Sequence, residues 1–100
     1  MKKEYTIKFY EQRDGQRALE LERLETYAFS NKDAYEAGRA TLAKMAKNYI
    51  DKHDGADDDS RLIDAQDNLA SLRDGSTNTY CEDVYTYFFR VFSKKIKKLY

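Results

Sequence analysis

The sequence predicts a single α+β domain over residues 1–100, in which an N-terminal antiparallel β-hairpin packs on a helix and is followed by two further helices. Three observations support this prediction. Apolar side chains alternate near the N-terminus, as in a half-buried strand. Two later segments repeat apolar side chains every three or four residues, as helices do. Finally, 100 residues with 41% hydrophobic content are enough for one small core.

The hairpin is predicted from a strand, a turn and a returning strand. Residues 4–10 alternate between two sets of side chains, which indicates a strand with one buried face. Asp14 and Gly15 form a strong turn signal because both residue types tolerate positive φ. Residues 17–29 fit either a strand or a helix. We prefer the strand, because the turn reverses the chain directly and a helix start follows at once.

Two helices are predicted in the middle of the chain. Ser30 begins a Ser-x-x-Asp pattern that resembles a capping box, and the first helix follows over residues 31–52. Residues 53–59 are polar and include Gly55, so they end that helix. The second helix covers residues 60–73, where apolar side chains recur on one face and an Asp-Gly pair follows.

The C-terminal segment fits two structures. From residue 83 onward, polar and apolar side chains fall on opposite sides of a helix, and the lysines near the end suit the helix dipole. Residues 85–92 are nevertheless rich in β-forming side chains. We therefore expect a C-terminal amphipathic helix over residues 83–100, with a third strand as the alternative.

The core is expected to combine aromatic and aliphatic side chains from every element. A two-stranded sheet covers little apolar surface, so we also expect a homodimer that pairs through strand edges or aromatic faces. The predicted core residues are Tyr5, Ile7, Phe9, Leu19, Leu21, Met45, Leu62, Leu69, Leu72, Phe88 and Phe92.

Composition argues against several classes of protein. No apolar run is long enough for a membrane span, and the N-terminus lacks the apolar stretch of a secretory signal. One cysteine and one histidine leave no disulfide framework and no Cys/His zinc site, so we expect no metal, no cofactor and a reducing, cytoplasmic location. The four isolated glycines form no phosphate-binding loop.

Catalysis is not expected from this sequence. Cys81 and His53 are its one thiol and one imidazole, and neither lies in a known nucleophile motif. The aspartates of residues 54–59 do not have the spacing of a calcium-binding loop, because the glycine falls at the wrong position. They are expected instead to form a solvated loop and to cap the second helix.

Charge is strongly segregated although the net charge is zero. Residues 51–83 contain 10 acidic and 3 basic side chains, whereas residues 84–100 contain 5 basic side chains and no acidic one. Spaced carboxylates can imitate a phosphate backbone and occupy the basic channel of a nucleic-acid-binding protein. In its small size and its lack of catalytic or metal-binding motifs, the chain is similar to small inhibitors encoded by phages and mobile elements.

We therefore expect a non-catalytic, intracellular protein-binding module that occupies a partner surface with its acidic face. The candidate partner-binding residues are Asp54, Asp57, Asp58, Asp59, Asp64 and Asp67. The alternative is nucleic-acid binding by the basic, aromatic segment 84–100, where lysines neutralise phosphates and rings stack on bases. Its candidate residues are Arg90, Lys94, Lys95, Lys97 and Lys98.

Overall fold

Two long antiparallel strands form the centre of the structure. The computed structural model describes residues 3–21, 26–53, 60–82 and 84–95. Within them, a five-stranded antiparallel sheet and two helices confirm the prediction of an α+β fold. The elements in chain order are β1 (Lys3–Arg13), β2 (Leu19–Glu20), β3 (Thr26–Ala28), α1 (Asn31–Lys52), α2 (Ser60–Asp74), β4 (Thr79–Glu82) and β5 (Tyr85–Lys95).

The strand order places the first and last strands side by side. The sheet runs β2-β1-β5-β4, and β3 pairs with the same side of β1 as β2. β1 and β5 pair along their whole length, from Lys3 opposite Lys95 to Arg13 opposite Tyr85. β4 pairs only with the first part of β5, residues 85–88. The central pair therefore carries most of the sheet.

The two faces of the sheet differ because successive side chains of a strand alternate between them. One face meets the helices, and there Ile7 and Phe9 of β1 and Phe89 of β5 are buried. They form one core with buried residues of α1, α2 and β4. We call the opposite face the open face. Its residues from β1, β3 and β5 include Thr6, Lys8, Tyr10, Tyr27, Phe88, Arg90 and Phe92.

α1 lies close to the sheet because it contains a glycine. The helix begins at Asn31, where the Oγ of Ser30 accepts a hydrogen bond from the backbone N–H of Asp33 at 3.1 Å. Gly38 faces β5 in the middle of the helix. A Cβ at this position would lie 2.6 Å from the ring of Phe89, which is closer than carbon atoms can approach. Gly38 therefore sets the distance between helix and sheet.

α2 packs on α1 and β4 and ends in a tight reversal. Gly75 follows the helix with a φ of 82°, a backbone conformation that favours glycine. The backbone N–H of Ser76 donates to the carbonyl of Ser71 at 3.0 Å, which satisfies one of the last carbonyls of the helix. The first predicted helix, over residues 31–52, has the bounds of α1, and the second ends within one residue of the predicted end at Arg73.

The prediction of an amphipathic helix over residues 83–100 is wrong where the structure describes that segment. Residues 85–95 form the strand β5, in agreement with the alternative of an added strand. Residues 96–100 lie outside the described residues. β5 carries apolar side chains on both faces, because Phe89 meets the helices while Phe88 and Phe92 lie on the open face. This arrangement hides the alternation that would have indicated a strand.

The hairpin prediction is confirmed at its turn and only partly beyond it. Gly15 has a φ of 74°, and the N–H of Gln16 donates to the carbonyl of Arg13 at 2.9 Å. The returning chain forms the short strands β2 and β3, and residues 22–25 between them lie outside the described residues. The long partner of β1 is therefore β5, far away in sequence, rather than the segment after the turn.

Only part of the predicted core is buried. Leu19, Phe88 and Phe92 do not belong to the core, since Phe88 lies with Phe92 on the open face. The half-buried Leu62 also lies outside the core cluster. Ile7, Phe9 and Leu72 are buried as expected. Leu19 is 64% exposed and Phe92 is 46% exposed, because Leu19 lies in a short edge strand and Phe92 on the open face. Residues expected in the core that are partly buried against it include Tyr5, Leu21, Met45 and Leu69.

Candidate binding surface

The open face combines exposed rings with cations. Among the described residues no helix packs on it, since the helices meet the opposite face. Tyr27 is 60% exposed and Phe92 is 46% exposed, and Arg90 is also exposed. Isolated exposed apolar side chains are common, but a contiguous group of rings on one face indicates a binding surface.

The centre of the open face is a stacked aromatic pair. Tyr10 in β1 and Phe88 in β5 are opposite in the register, and their ring centroids lie 5.2 Å apart with an interplanar angle of 15°. The guanidinium of Arg90 lies 5.4 Å from the centroid of Tyr10 and 5.7 Å from that of Phe88. These are cation–π distances, so Arg90 is held across both rings.

A second cation extends this cluster along the sheet. The Nζ of Lys8 lies 5.8 Å from the ring centroid of Phe92 and 3.2 Å from the Oε1 of Glu20 in β2. Lys8 and Arg90 are directly opposite in the β1–β5 register. Rings and cations therefore alternate across the two central strands, and their backbone positions are fixed by the longest ladder of the sheet.

This geometry affects what the open face can bind. The near-parallel rings of Tyr10 and Phe88 cover part of each other, and Arg90 covers a further part of both. A nucleic-acid base that stacked on either ring would first have to displace the guanidinium. Phe92 and Tyr27 present more ring surface. The ring edges and the guanidinium donors of Arg90 suit the carbonyls, carboxylates and apolar side chains of a protein partner.

The basic residues of the alternative prediction have different positions in the structure. Arg90 lies on the open face, as described above. Lys94 and Lys95 are consecutive in the last part of β5, where the structure describes only their backbone. Lys97 and Lys98 lie outside the described residues. The single basic helix face that the sequence predicted is therefore absent from the described part of the segment, and Arg90 is the member of the set with defined contacts.

The acidic residues of the leading prediction are also only partly described. Asp64 and Asp67 are exposed on α2, whereas Asp54 and the run 57–59 lie outside the described residues. Ile63 stands beside Asp64 and is 57% exposed. The outer surface of α2 therefore presents an apolar side chain next to two carboxylates.

The helix layer carries cations in the groove between α1 and α2. Two adjoining cavities of about 420 and 440 Å³ share Ala40, Ala43 and Arg73 in their walls. Lys44 and Lys47 line one of them. The neighbouring cavity is also lined by Glu36 and Asp74, so the groove carries both signs of charge. Sequence reasoning missed this groove because its members come from separate helices.

The one thiol and one imidazole lie on different sides of the sheet. Cys81 is exposed, and its Sγ lies 3.9 Å from the Oγ1 of Thr86 at an open-face position of β5. His53 stacks on Tyr49 at 4.3 Å and lines a cavity of about 350 Å³ together with Glu82. Because Cys81 and Glu82 are successive strand residues, their side chains point in opposite directions. The structure does not bring Cys81 and His53 together.

A buried tyrosine lies beneath the end of α1. Tyr80 is fully buried in β4 and stacks on Tyr87 at 5.8 Å. Its pKa is raised because burial disfavours the charged phenolate, and the carboxylate of Glu82 raises it further. The sequence analysis did not place Tyr80 in the core. The alternation of Tyr80 with polar neighbours in a short strand was the signal that could have identified it.

Within the described ranges, no three His, Cys, Asp or Glu side chains come close enough to hold a metal ion. Neither described helix has the length and apolar character needed to cross a membrane. No protein-family model matches the sequence, and no curated protein or solved structure is significantly similar to it.

Proposed function

We propose that this chain is a non-catalytic protein-binding module that contacts its partner through the open face. The observation that carries the proposal is the stacked pair of Tyr10 and Phe88, with Arg90 lying across both rings on an exposed sheet face. Tyr, Phe and Arg are the residue types enriched at protein interfaces. An intracellular location remains part of the proposal, on the argument from the single cysteine.

The proposal is supported by the order already present in these side chains. Arg90 is restrained by two rings and Lys8 by Phe92 and Glu20, so a partner has less side-chain freedom to remove on binding. Tyr and Arg at the centre of an interface carry a large share of the binding free energy. The partner surface that complements such a face has apolar side chains at its centre and carboxylates beside them.

A second protein-binding surface, on α2, continues the prediction of an acidic inhibitor. The observation that favours it is Ile63, which is 57% exposed beside Asp64 and Asp67. An apolar anchor with carboxylates around it would fit a basic partner, including the nucleic-acid channel of an enzyme. This surface and the open face lie on different elements, so substitutions can separate their contributions.

The test is capture of a partner from the cytosol of the source cells with tagged chain, with and without nuclease. The variants are Arg90→Gln, Asp64→Lys with Asp67→Lys, and the control Lys44→Gln, which removes an exposed cation from α1. We expect to capture a protein partner that is still bound after nuclease treatment. Its affinity for Arg90→Gln should be about tenfold lower, or more, than its affinity for the original chain, because a central cation is lost. Lys44→Gln should bind like the original chain.

Other outcomes would contradict the proposal in distinct ways. Full binding by Arg90→Gln together with loss in the Asp64 and Asp67 double variant would transfer the function to the acidic surface of α2. Recovery of nucleic acid, with affinity that falls steeply as salt increases, would support the alternative of nucleic-acid binding. Calorimetric titration of the identified partner provides the affinities in each case.

A further inference from the structure

One edge of the central strand β5 has no strand partner in the described part of the chain. β1 pairs with β5 along its full length, but β4 covers the other edge only at residues 85–88. Beyond that point the chain before β4 turns away, and there Asn78 accepts a hydrogen bond from Arg39 of α1. No strand in the described part of the chain therefore pairs with the outer edge of β5 beyond Phe89.

The hydrogen-bond pattern shows which backbone groups point outward along this edge. Asp14 and Val84 are the next pair of opposite residues after Arg13 and Tyr85 in the β1–β5 register. The N–H of Asp14 donates to the carbonyl of Val84 at 2.9 Å, so this is a hydrogen-bonded pair. In an antiparallel ladder, hydrogen-bonded pairs recur at every second residue. The even residues of β5 thus bond to β1. The backbone groups of Phe89, Val91 and Ser93 point away from β1, as those of the odd residues paired with β4 do.

Among the described residues, no strand pairs with the outward backbone groups of Val91 and Ser93. Such an edge is a template for a further strand. An added strand would lie next to Arg90 and Phe92, so it would continue the open face laterally.

The charge of the segment indicates what kind of strand fits. The strand β5, residues 85–95, contains Arg90, Lys94 and Lys95 and no acidic residue. Opposite charges at facing positions stabilise a strand pair and like charges destabilise it. Lysine and arginine at sheet edges are a known means of preventing self-association, which disfavours a second copy of this chain as the added strand. An acidic segment would meet no such repulsion.

We propose that the outer edge of β5, at Val91 and Ser93, accepts an extended, acidic segment of the partner protein as an added antiparallel or parallel strand. This inference rests on the proposed function, because it assumes that the physiological partner is a protein. It names the part of that partner which pairs with the sheet. Backbone hydrogen bonds would provide affinity, and carboxylates at alternate positions would provide selectivity.

The test measures amide hydrogen exchange in the isotope-labelled full chain with two synthetic probes. One probe is a seven-residue peptide that alternates Glu and Val, and the other alternates Lys and Val. With the acidic peptide at ten times its dissociation constant, we expect the amides of Val91 and Ser93 to exchange about tenfold more slowly. The amides of Arg90 and Phe92 already bond to β1 and should change little. The basic peptide should have no effect.

The variant Ser93→Pro isolates the edge, with Ser93→Ala as its matched control. Proline removes one outward N–H and is tolerated on a strand edge where that N–H faces solvent. We expect Ser93→Pro to lose binding of the acidic peptide and Ser93→Ala to retain it. A second form of the test leaves the protein unchanged and uses an acidic peptide with N-methyl groups at alternate residues, which should not bind.

Several results would overturn the inference. They are slow exchange of Val91 and Ser93 in the isolated chain, protection that grows with protein concentration alone, equal protection by both peptides, and protection by a single-stranded oligonucleotide instead. Capture of a partner protein by Ser93→Pro with unchanged affinity would refute the edge while leaving the proposed function intact. Failure of the unsubstituted chain to capture any protein partner would refute the proposed function itself.

Discussion

At the scale of single residues, Gly38 is the position where one added carbon has the largest predicted effect. The Cβ of Gly38→Ala would lie 2.6 Å from the ring of Phe89, so helix, ring or sheet would have to shift. Overpacking costs about 1–3 kcal/mol, whereas the better helix propensity of alanine gains at most about 1 kcal/mol. We expect a net loss of unfolding free energy, measured by urea denaturation.

A double-mutant cycle separates this clash from a general effect on α1. Phe89→Leu in the Gly38→Ala background removes the ring that the new methyl group contacts. We expect the cost of Gly38→Ala to become smaller there than in the original chain. An equal cost in both backgrounds would show that Gly38 acts through something other than the ring of Phe89.

Tyr80 links stability to alkaline pH. Burial raises the pKa of its hydroxyl above the ordinary value of 10.0, and Glu82 adds to the effect. Below pH 10 the group is protonated in both folded and unfolded chains, so its contribution to stability is constant. Above pH 10 the unfolded chain releases this proton first, which favours unfolding. We expect the melting temperature to fall above pH 10, and to fall less steeply in Tyr80→Phe.

Tyr87 also contributes to the loss of stability at alkaline pH. The pKa of Tyr87 is also raised by burial, and its hydrogen bond to Glu11 contributes, so Tyr80→Phe should remove only part of the alkaline loss. Tyr27 is exposed, and Tyr27→Phe provides a matched control. A profile that is identical in Tyr80→Phe and the original chain would contradict the prediction.

At the scale of elements, the strand β5 is the least expected part of the fold and can be tested by proline substitution. Phe92 lies opposite Thr6, and the alternation of the ladder directs its N–H at β1. Phe92→Pro removes that hydrogen bond, which costs about 1–3 kcal/mol when the acceptor is left without a partner. We expect a clear loss in urea denaturation, whereas Ser93→Pro should cost much less. Equal losses would contradict the assigned direction of the backbone groups.

The elements that the sequence predicted correctly have one apolar face each. β1 alternates cleanly, α1 has a cap at Ser30 and a stripe of small and apolar residues, and α2 ends at an Asp-Gly pair. β5 has rings on both faces, so its apolar positions also fit the spacing of an amphipathic helix. Its turn from β4 contains no glycine, so no local signal indicated a hairpin.

The candidate surface was harder to predict than the fold because it depends on pairing across the sequence. Arg90 was identified from its charge, but its partners Tyr10 and Phe88 come from strands at opposite ends of the chain. Only the β1–β5 register brings the three side chains together. The acidic surface could be predicted from the local sequence, because its residues share one helix. Asp64 and Asp67 are exposed, as the helical pattern of α2 indicates.

At the scale of the whole molecule, the chain is expected to unfold as one cooperative unit. The single core contains buried residues of β1, α1, α2, β4 and β5, so neither the helices nor the sheet can retain its packing alone. We expect coincident urea transitions by circular dichroism and tyrosine fluorescence, with a slope of about 1–3 kcal/mol/M. Two separate transitions would contradict the prediction of a single domain over residues 1–100.

The pairing of β1 with β5 also determines when this protein can fold. The longest ladder joins the first strand to the last, so the chain must close its largest loop before that ladder forms. Topologies of this kind fold in about milliseconds to seconds, more slowly than helical bundles of similar size. During synthesis β1 has only the short partners β2 and β3 until β5 has been made. We therefore expect nascent chains to expose Ile7 and Phe9 until β5 has been made, which lengthens the period in which chaperones can bind them.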